Sequence, residues 1–282
     1  MRAWDGRTHP GWPPTGPLGP VRAVARGLPL AVTVFGGLAV LLLIRLVERP
    51  AFGLRRPVTP HVTQFVCRAA FAILGMRRRV RGDVMRAEGA CVANHASWLD
   101  IFALNASKRI YFVAKDEVAG WPGIGWLARA TGTVFIRRDP REARAQRDVF
   151  EARLHAGHKL MFFPEGTSTD GVRILPFKPT LFAAFFTEGL RGSAHVQPVT
   201  LAYHAPVGAP STFYGWWGTQ GFAAHMWQML ATPRHGAVEV VYHAPLRVAD
   251  HPDRKALARA AEAAVRDGLA VAGRLEVGAG DA

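Results

Sequence analysis

At 282 residues, with 49% hydrophobic and 20% charged residues, the chain can bury one full-sized α/β core, which excludes a mainly disordered protein. A formal charge of +14 and a pI near 11.0 call for an anionic partner, either nucleic acid or an acidic lipid surface. The two cysteines, Cys67 and Cys91, lie in apolar stretches and argue against a disulfide framework, and none of the eleven histidines falls in a metal-ligand pattern, so no metal is assigned.

In chain order, residues 1–20 are rich in Pro and Gly and read as a mobile tail. Leu28 to Ile44 is an uncharged run of seventeen residues flanked by Arg22, Arg26, Arg45 and Arg49, a membrane segment of borderline length. Gly36 and Gly37 interrupt it, which keeps a buried soluble helix as the alternative. Basic residues at both ends, Arg55 and Arg56 included, give no orientation for a single span, so a re-entrant or interfacial anchor fits better. A second apolar stretch, His61 to Met76, ends in Arg77, Arg78, Arg79 and Arg81, as expected of a segment lying against anionic headgroups. This divides the chain into a tail (1–20), a membrane-anchoring helical segment (21–79), one catalytic domain (80–275) and a short tail (276–282).

Beyond residue 90 the pattern predicts strands at Cys91 to Ala93, Ile110 to Val113, Thr133 to Arg137, Leu160 to Phe163, Val196 to Tyr203 and Ala237 to His243. Helices are predicted at Ser97 to Asn105, Arg141 to His155, Pro179 to Thr187, Phe222 to Leu230 and Arg254 to Ala272. Strand and helix in turn predict an α/β fold with a central sheet covered on both faces, its site outside the strand ends.

His95 follows a predicted strand and Asp100 lies about one turn into a helix, so the two can meet. A neutral imidazole can take the proton of a hydroxyl attacking a thioester, and a carboxylate on its far nitrogen fixes the tautomer. A local capping role for Ser97 and Asp100 explains the same residues without chemistry. Arg137 and Arg138 close a strand where guanidinium groups can clamp a phosphate, or stand as solvated surface charges. In Phe163-Pro-Glu-Gly-Thr167, Pro164 ends a strand, Gly166 permits close approach and Glu165 is left to hold an acceptor hydroxyl or polar head. Arg173 and Lys178 offer further anion contacts, and Val196 to Val199 reads as scaffold. No Gly-x-Ser-x-Gly elbow occurs, so direct acyl transfer is expected rather than a serine-bound intermediate.

Taken together, Asn94-His95 with Asp100, Gly132 to Arg138, Phe163 to Thr167 and Val196 to Val199 resemble the four ordered blocks of the lysophosphatidic acid acyltransferase family. Lys115-Asp-Glu117 and Gly123-Ile-Gly-Trp126 match its usual link. The resemblance covers about residues 80 to 245 and implies a glycerol-3-phosphate acyltransferase-like mixed sheet with helices on both faces, plus N-terminal membrane-anchoring helices. It implies His95 and Asp100 as the catalytic pair, Arg138 on the acceptor phosphate, and Glu165, Gly166 and Thr167 shaping the acceptor site; outside the family's pattern, Arg137, Arg173 and Lys178 are candidates for additional anion contacts.

The implied reaction moves a fatty acyl group from acyl-CoA or acyl carrier protein to a lysolipid hydroxyl, with no cofactor. The first acceptor expected is 1-acyl-sn-glycerol-3-phosphate, giving phosphatidic acid. Two departures weigh on that acceptor: Ser168 stands where the family's third block commonly has Arg, and Arg137 where the second often has Asp. Glu165 to Gly171, Leu175 to Lys178 and Tyr214 to Trp217 are similar to the branch that acylates lyso-ornithine lipid, which is the alternative. The expected setting is the cytoplasmic face of a bacterial inner membrane, against anionic lipids and without nucleic acid. A basic nucleic-acid binder and a non-catalytic membrane scaffold are the rivals from other classes.

Overall fold

The computed structural model describes residues 4–137, 141 and 143–275. The uncharged run is the middle of a longer helix, α1 (Gly19–Phe52), which spans about 51 Å at the usual rise. Among the described residues it is the one helix long and apolar enough to cross a membrane. It runs unbroken through Gly36 and Gly37. The reason is packing: a Cβ on Gly37 would fall 2.4 Å from Val66 of α2 (Thr59–Leu74), so the bare backbone lets the two helices touch. Much of the rest of α1 stays uncovered, with Val21, Leu28, Val32, Phe35, Leu43, Leu46 and Val47 exposed.

Arg22 and Arg26 tie the start of α1 to the rest of the fold. Arg22 Nε donates to Ala231 O at 2.8 Å and Arg26 Nη1 to Leu230 O at 3.1 Å, at the carbonyl end of α7 (Phe222–Ala231), where a helix accepts cations. The segment before α1 differs from the expected mobile tail. Trp4 packs on Trp217 with ring centroids 6.1 Å apart, Trp217 Nε1 donates to Arg7 O, and Gln228 Nε2 donates to Pro13 O. Its aromatic side chains, which a Pro/Gly reading passes over, find an apolar wall to cover. Residues 276–282 lie outside the described residues.

The described strands form one eight-stranded mixed sheet in the order β1-β7-β6-β2-β5-β3-β4, with β8 also on β6. These are β1 (Arg77–Arg81), β2 (Gly89–Ala93), β3 (Tyr111–Lys115), β4 (Val134–Ile136), β5 (Leu160–Phe162), β6 (His195–His204), β7 (Ala237–Tyr242) and β8 (Leu246–Arg247). From β6 through β4 all neighbours are parallel, whereas β7 runs antiparallel to β6. The basic run at 77–81 is therefore an edge strand parallel to β7, and its Arg81 pairs with the buried Glu239 of β7. Charged side chains are well suited to an edge that must not recruit another chain.

One apolar cluster joins α1, α2, α3 (Leu99–Ser107) and α7 to one face of the sheet. A second joins α5 (Ala143–His155), the 3-10 turn Pro179–Phe186, α6 (Glu188–Arg191) and α8 (Arg254–Val271) to the other. The expected run at 179–187 is helical in this tighter form. Helix α4 (Ile124–Thr131), between β3 and β4, falls in a stretch for which the sequence pattern predicts no element. Adjacent parallel strands β2 and β5 end side by side at Ala93 and Phe162, and the next residues of each are the candidate blocks.

Candidate active site

The end of β2 is tied to β6 before the turn begins. Asn94 Nδ2 donates to Leu201 O at 2.9 Å and Leu201 N donates back to Asn94 Oδ1 at 2.8 Å, so Asn94 acts as a strand clamp. This fixes where His95 leaves the sheet. Its Nδ1 lies 2.7 Å from Asp100 Oδ2, and the ring stacks on Phe163 with centroids 4.0 Å apart and planes 12° apart. The imidazole side chain keeps 21% exposure while Asp100 has none. With Asp100 ionised, Nδ1 carries the proton and Nε2 keeps its lone pair as the ring's remaining acceptor.

Asp100 Oδ2 also accepts the amides of Ala96 at 2.8 Å and Ser97 at 3.0 Å. The capping reading and the chemical reading of this block thus describe one carboxylate, which holds the turn and orients the imidazole together. Its other oxygen, Oδ1, accepts the hydroxyl of Tyr203 on β6 at 2.7 Å. Burial and the adjacent Asp100 charge push that phenol well above its ordinary value, so it stays a donor. Tyr203 is absent from the residues singled out in the sequence. The one signal available was a tyrosine near the end of a buried strand.

The third block departs from expectation. Glu165 does not project from its turn: it is 1% exposed, with Oε1 accepting the His95 amide at 2.7 Å and Oε2 the Leu175 amide at 2.8 Å. Burial pushes its carboxyl up to about 8, offset in part by those two amides. Glu165 therefore braces the backbone under His95, with each carboxyl oxygen on a backbone amide. Gly166 takes φ +73°, and a Cβ there would meet Lys178 Nζ at 2.6 Å. That ammonium donates to Glu165 O at 2.6 Å, so Lys178 locks the same turn. Thr167 lies at the turn, partly exposed. The loop beyond packs onto the first block, since Thr169 N donates to His95 O at 2.9 Å and Trp216 N to Ala96 O at 2.8 Å.

Arg173 follows on this loop, 3.7 Å from Asp170, with its guanidinium 5.9 Å from the Trp4 ring. Arg137 pairs with Asp116 Oδ2 at 2.9 Å across the mouth of β3 and β4. Arg138 lies outside the described residues. Beside the turn that follows His95, Leu30, Phe71, Leu74, Trp98 and Phe102 line a small apolar crevice between α1, α2 and α3. Among the described residues no cluster of His, Cys, Asp or Glu has the makings of a metal site.

A family model described as Acyltransferase matches residues 77–202. The lyso-ornithine lipid O-acyltransferase of Rhodobacter capsulatus is 56% identical over 94% of this chain and 96% of its own. A 1-acyl-sn-glycerol-3-phosphate acyltransferase of Neisseria gonorrhoeae is 34% identical over 62% of this chain and 66% of its own. Among solved structures, the 1-acyl-sn-glycerophosphate acyltransferase of Thermotoga maritima superposes with a TM-score of 0.67 at 20% identity, over 94% of this chain and 100% of that one, a likeness of fold.

Proposed function

This chain belongs to the acyltransferase family and acylates lysolipids, and on that premise we propose that its acceptor is lyso-ornithine lipid and its base is His95. The observation that carries the chemistry is the 2.7 Å contact between His95 and a fully buried Asp100 at the ends of the central strands. The acceptor hydroxyl gives its proton to His95 Nε2 as its oxygen attacks the thioester carbon. Asp100 stabilises the imidazolium so formed. As the carbon–sulfur bond breaks, the leaving thiolate takes the proton from His95, which restores the neutral base. Ester and free thiol are the products.

The acceptor rests on the stronger relationship, 56% identity across nearly the whole chain. This reverses the order of acceptors implied by the motif resemblance alone, which put 1-acyl-sn-glycerol-3-phosphate first. Ser168 in place of the family's usual Arg agrees with an acceptor that carries a carboxylate and an amino group instead of a phosphate. Arg173 beside Asp170 offers the charges for such a headgroup. The donor is a thioester of coenzyme A or acyl carrier protein. The exposed apolar side of α1 supports an anchor in one leaflet, and a thioester donor made in the cytoplasm favours the cytoplasmic face.

The test is purified protein with one labelled acyl thioester and equal amounts of the two lysolipids. Faster turnover of lyso-ornithine lipid is expected, and a preference for 1-acyl-sn-glycerol-3-phosphate would overturn the acceptor. His95→Ala should lower the rate on either acceptor by on the order of a hundred- to ten-thousand-fold.

A further inference from the structure

Asp100 has a wholly buried side chain and accepts four hydrogen bonds. The donors divide unevenly. Oδ2 receives the imidazole and two amides of its own turn, all within five residues of Asp100. Oδ1 receives the Tyr203 hydroxyl, from a strand 103 residues further along the chain, and among the described residues nothing else reaches it. A turn can hold one oxygen of a carboxylate and still let the plane rotate about it. A second anchor on the opposite oxygen stops that rotation.

Resting on the reading of His95 and Asp100 given above, we propose that Tyr203 is a positioning residue: its hydroxyl fixes the Asp100 carboxylate and, through it, the orientation and basicity of His95. Tyr203 is itself fixed. It lies on β6 between the pairings Leu201 to Val240 and His204 to Ala237, is 3% exposed, and packs on Tyr214 at 5.4 Å between ring centroids. Tyr214 is committed elsewhere, accepting the Gly236 amide at 2.9 Å and lying 3.2 Å from His235 Nδ1. It therefore supports the Tyr203 ring without competing for Asp100.

The other ionisable groups around the pair are placed differently. Glu165, from the turn after β5, meets the His95 amide and not its ring. Lys178 holds the Glu165 carbonyl, and Arg266 of α8 holds Glu262 and the Ile174 carbonyl. Asp170 and Arg173 sit on the loop that binds the His95 carbonyl. Tyr203 is the neutral side-chain donor whose loss changes, through Asp100, the charge felt by the imidazole.

The experiment is Tyr203→Phe, which removes the hydroxyl and keeps the ring. Without that donor, the carboxylate charge is less dispersed and favours the imidazolium. The acid limb of kcat/KM against pH should move up by about half to one unit. Rotation of the unanchored carboxylate should lower kcat about tenfold with the acceptor KM within about twofold. In an Asp100→Ala background the same substitution should change kcat by less than about twofold, because Tyr203 acts through Asp100.

A wild-type rate and limb in Tyr203→Phe overturns the proposal, as does an undiminished loss in the Asp100→Ala background. Should the Phe variant not fold, site-specific 3-fluorotyrosine at 203 is a stronger donor and should move the limb down, and an unmoved limb overturns the proposal equally. Full activity in His95→Ala would instead sink the underlying reading. An inactive His95→Ala beside a wild-type Tyr203→Phe removes Tyr203 alone.

Discussion

Two buried carboxylates bracket His95 from opposite sides, and they do different work. Asp100 meets the ring, with three further donors spread over its two oxygens. Glu165 meets the backbone, with one amide on each oxygen. Both belong to blocks that mark the family, and both are hidden from solvent. The contrast teaches that burial and recurrence in a motif do not define a role. What a carboxylate faces does: an atom whose charge changes during the reaction, or a peptide that must only stay in place.

The sharpest way to break this comparison is to exchange each acid for its amide at nearly constant shape. Asp100→Asn puts an amide nitrogen or a weaker acceptor against Nδ1 and loses control of the tautomer. We expect kcat to fall on the order of a hundred- to ten-thousand-fold with little change in acceptor KM. Glu165→Gln removes one backbone acceptor beneath His95 and should lower kcat by about tenfold or less. Steady-state rates of the two variants decide the matter, and equal losses would erase the distinction.

Glu165 also ties stability to pH. Glu165 has its folded pKa raised to about 8, above that of an unfolded glutamate. Between those values the folded state holds the extra proton, so stability is fullest at the acid end and falls as pH rises toward 8. Glu165→Gln has no such proton. Relative to wild type its melting temperature should improve steadily from pH 5 to pH 8, through a free-energy difference of at most a few kcal/mol. A constant offset in calorimetry across that range would contradict it.

How much of this was legible beforehand follows from sequence distance. His95 and Asp100 are five residues apart at a strand-to-helix turn, and such spacing can be read directly. Glu165 reads as a projecting side chain because its two amide partners stand 70 and 10 residues away, and only the folded loops bring them round it. Tyr203 is hidden for the same reason. At the N-terminus, prolines and glycines suggest looseness, yet Trp4, His9 and Trp12 are held by a wall assembled from Trp217 and His225. The arginines of β1 suggest a headgroup contact because the edge strand they decorate depends on pairing with β7, far downstream.

That N-terminal wall supplies the smallest expected effect and an opposite sign. His225 Nδ1 accepts from Trp98 Nε1 at 2.9 Å, which requires a neutral ring, and burial holds its pKa down at about 4. An unfolded histidine titrates near 6.5, so between these values the unfolded chain binds the extra proton. Stability from this group is therefore complete above 6.5 and drains away as pH falls toward 4, by about 1 to 3 kcal/mol. The loss is felt where α3, α7 and the segment carrying Trp12 meet. His225→Phe keeps the aromatic bulk, gives up the Trp98 acceptor at every pH, and should flatten the acid decline between pH 6.5 and 4 in thermal melts. If the variant declines as steeply as wild type, the acid sensitivity arises at other buried histidines such as His235, whose pKa burial also lowers to about 4.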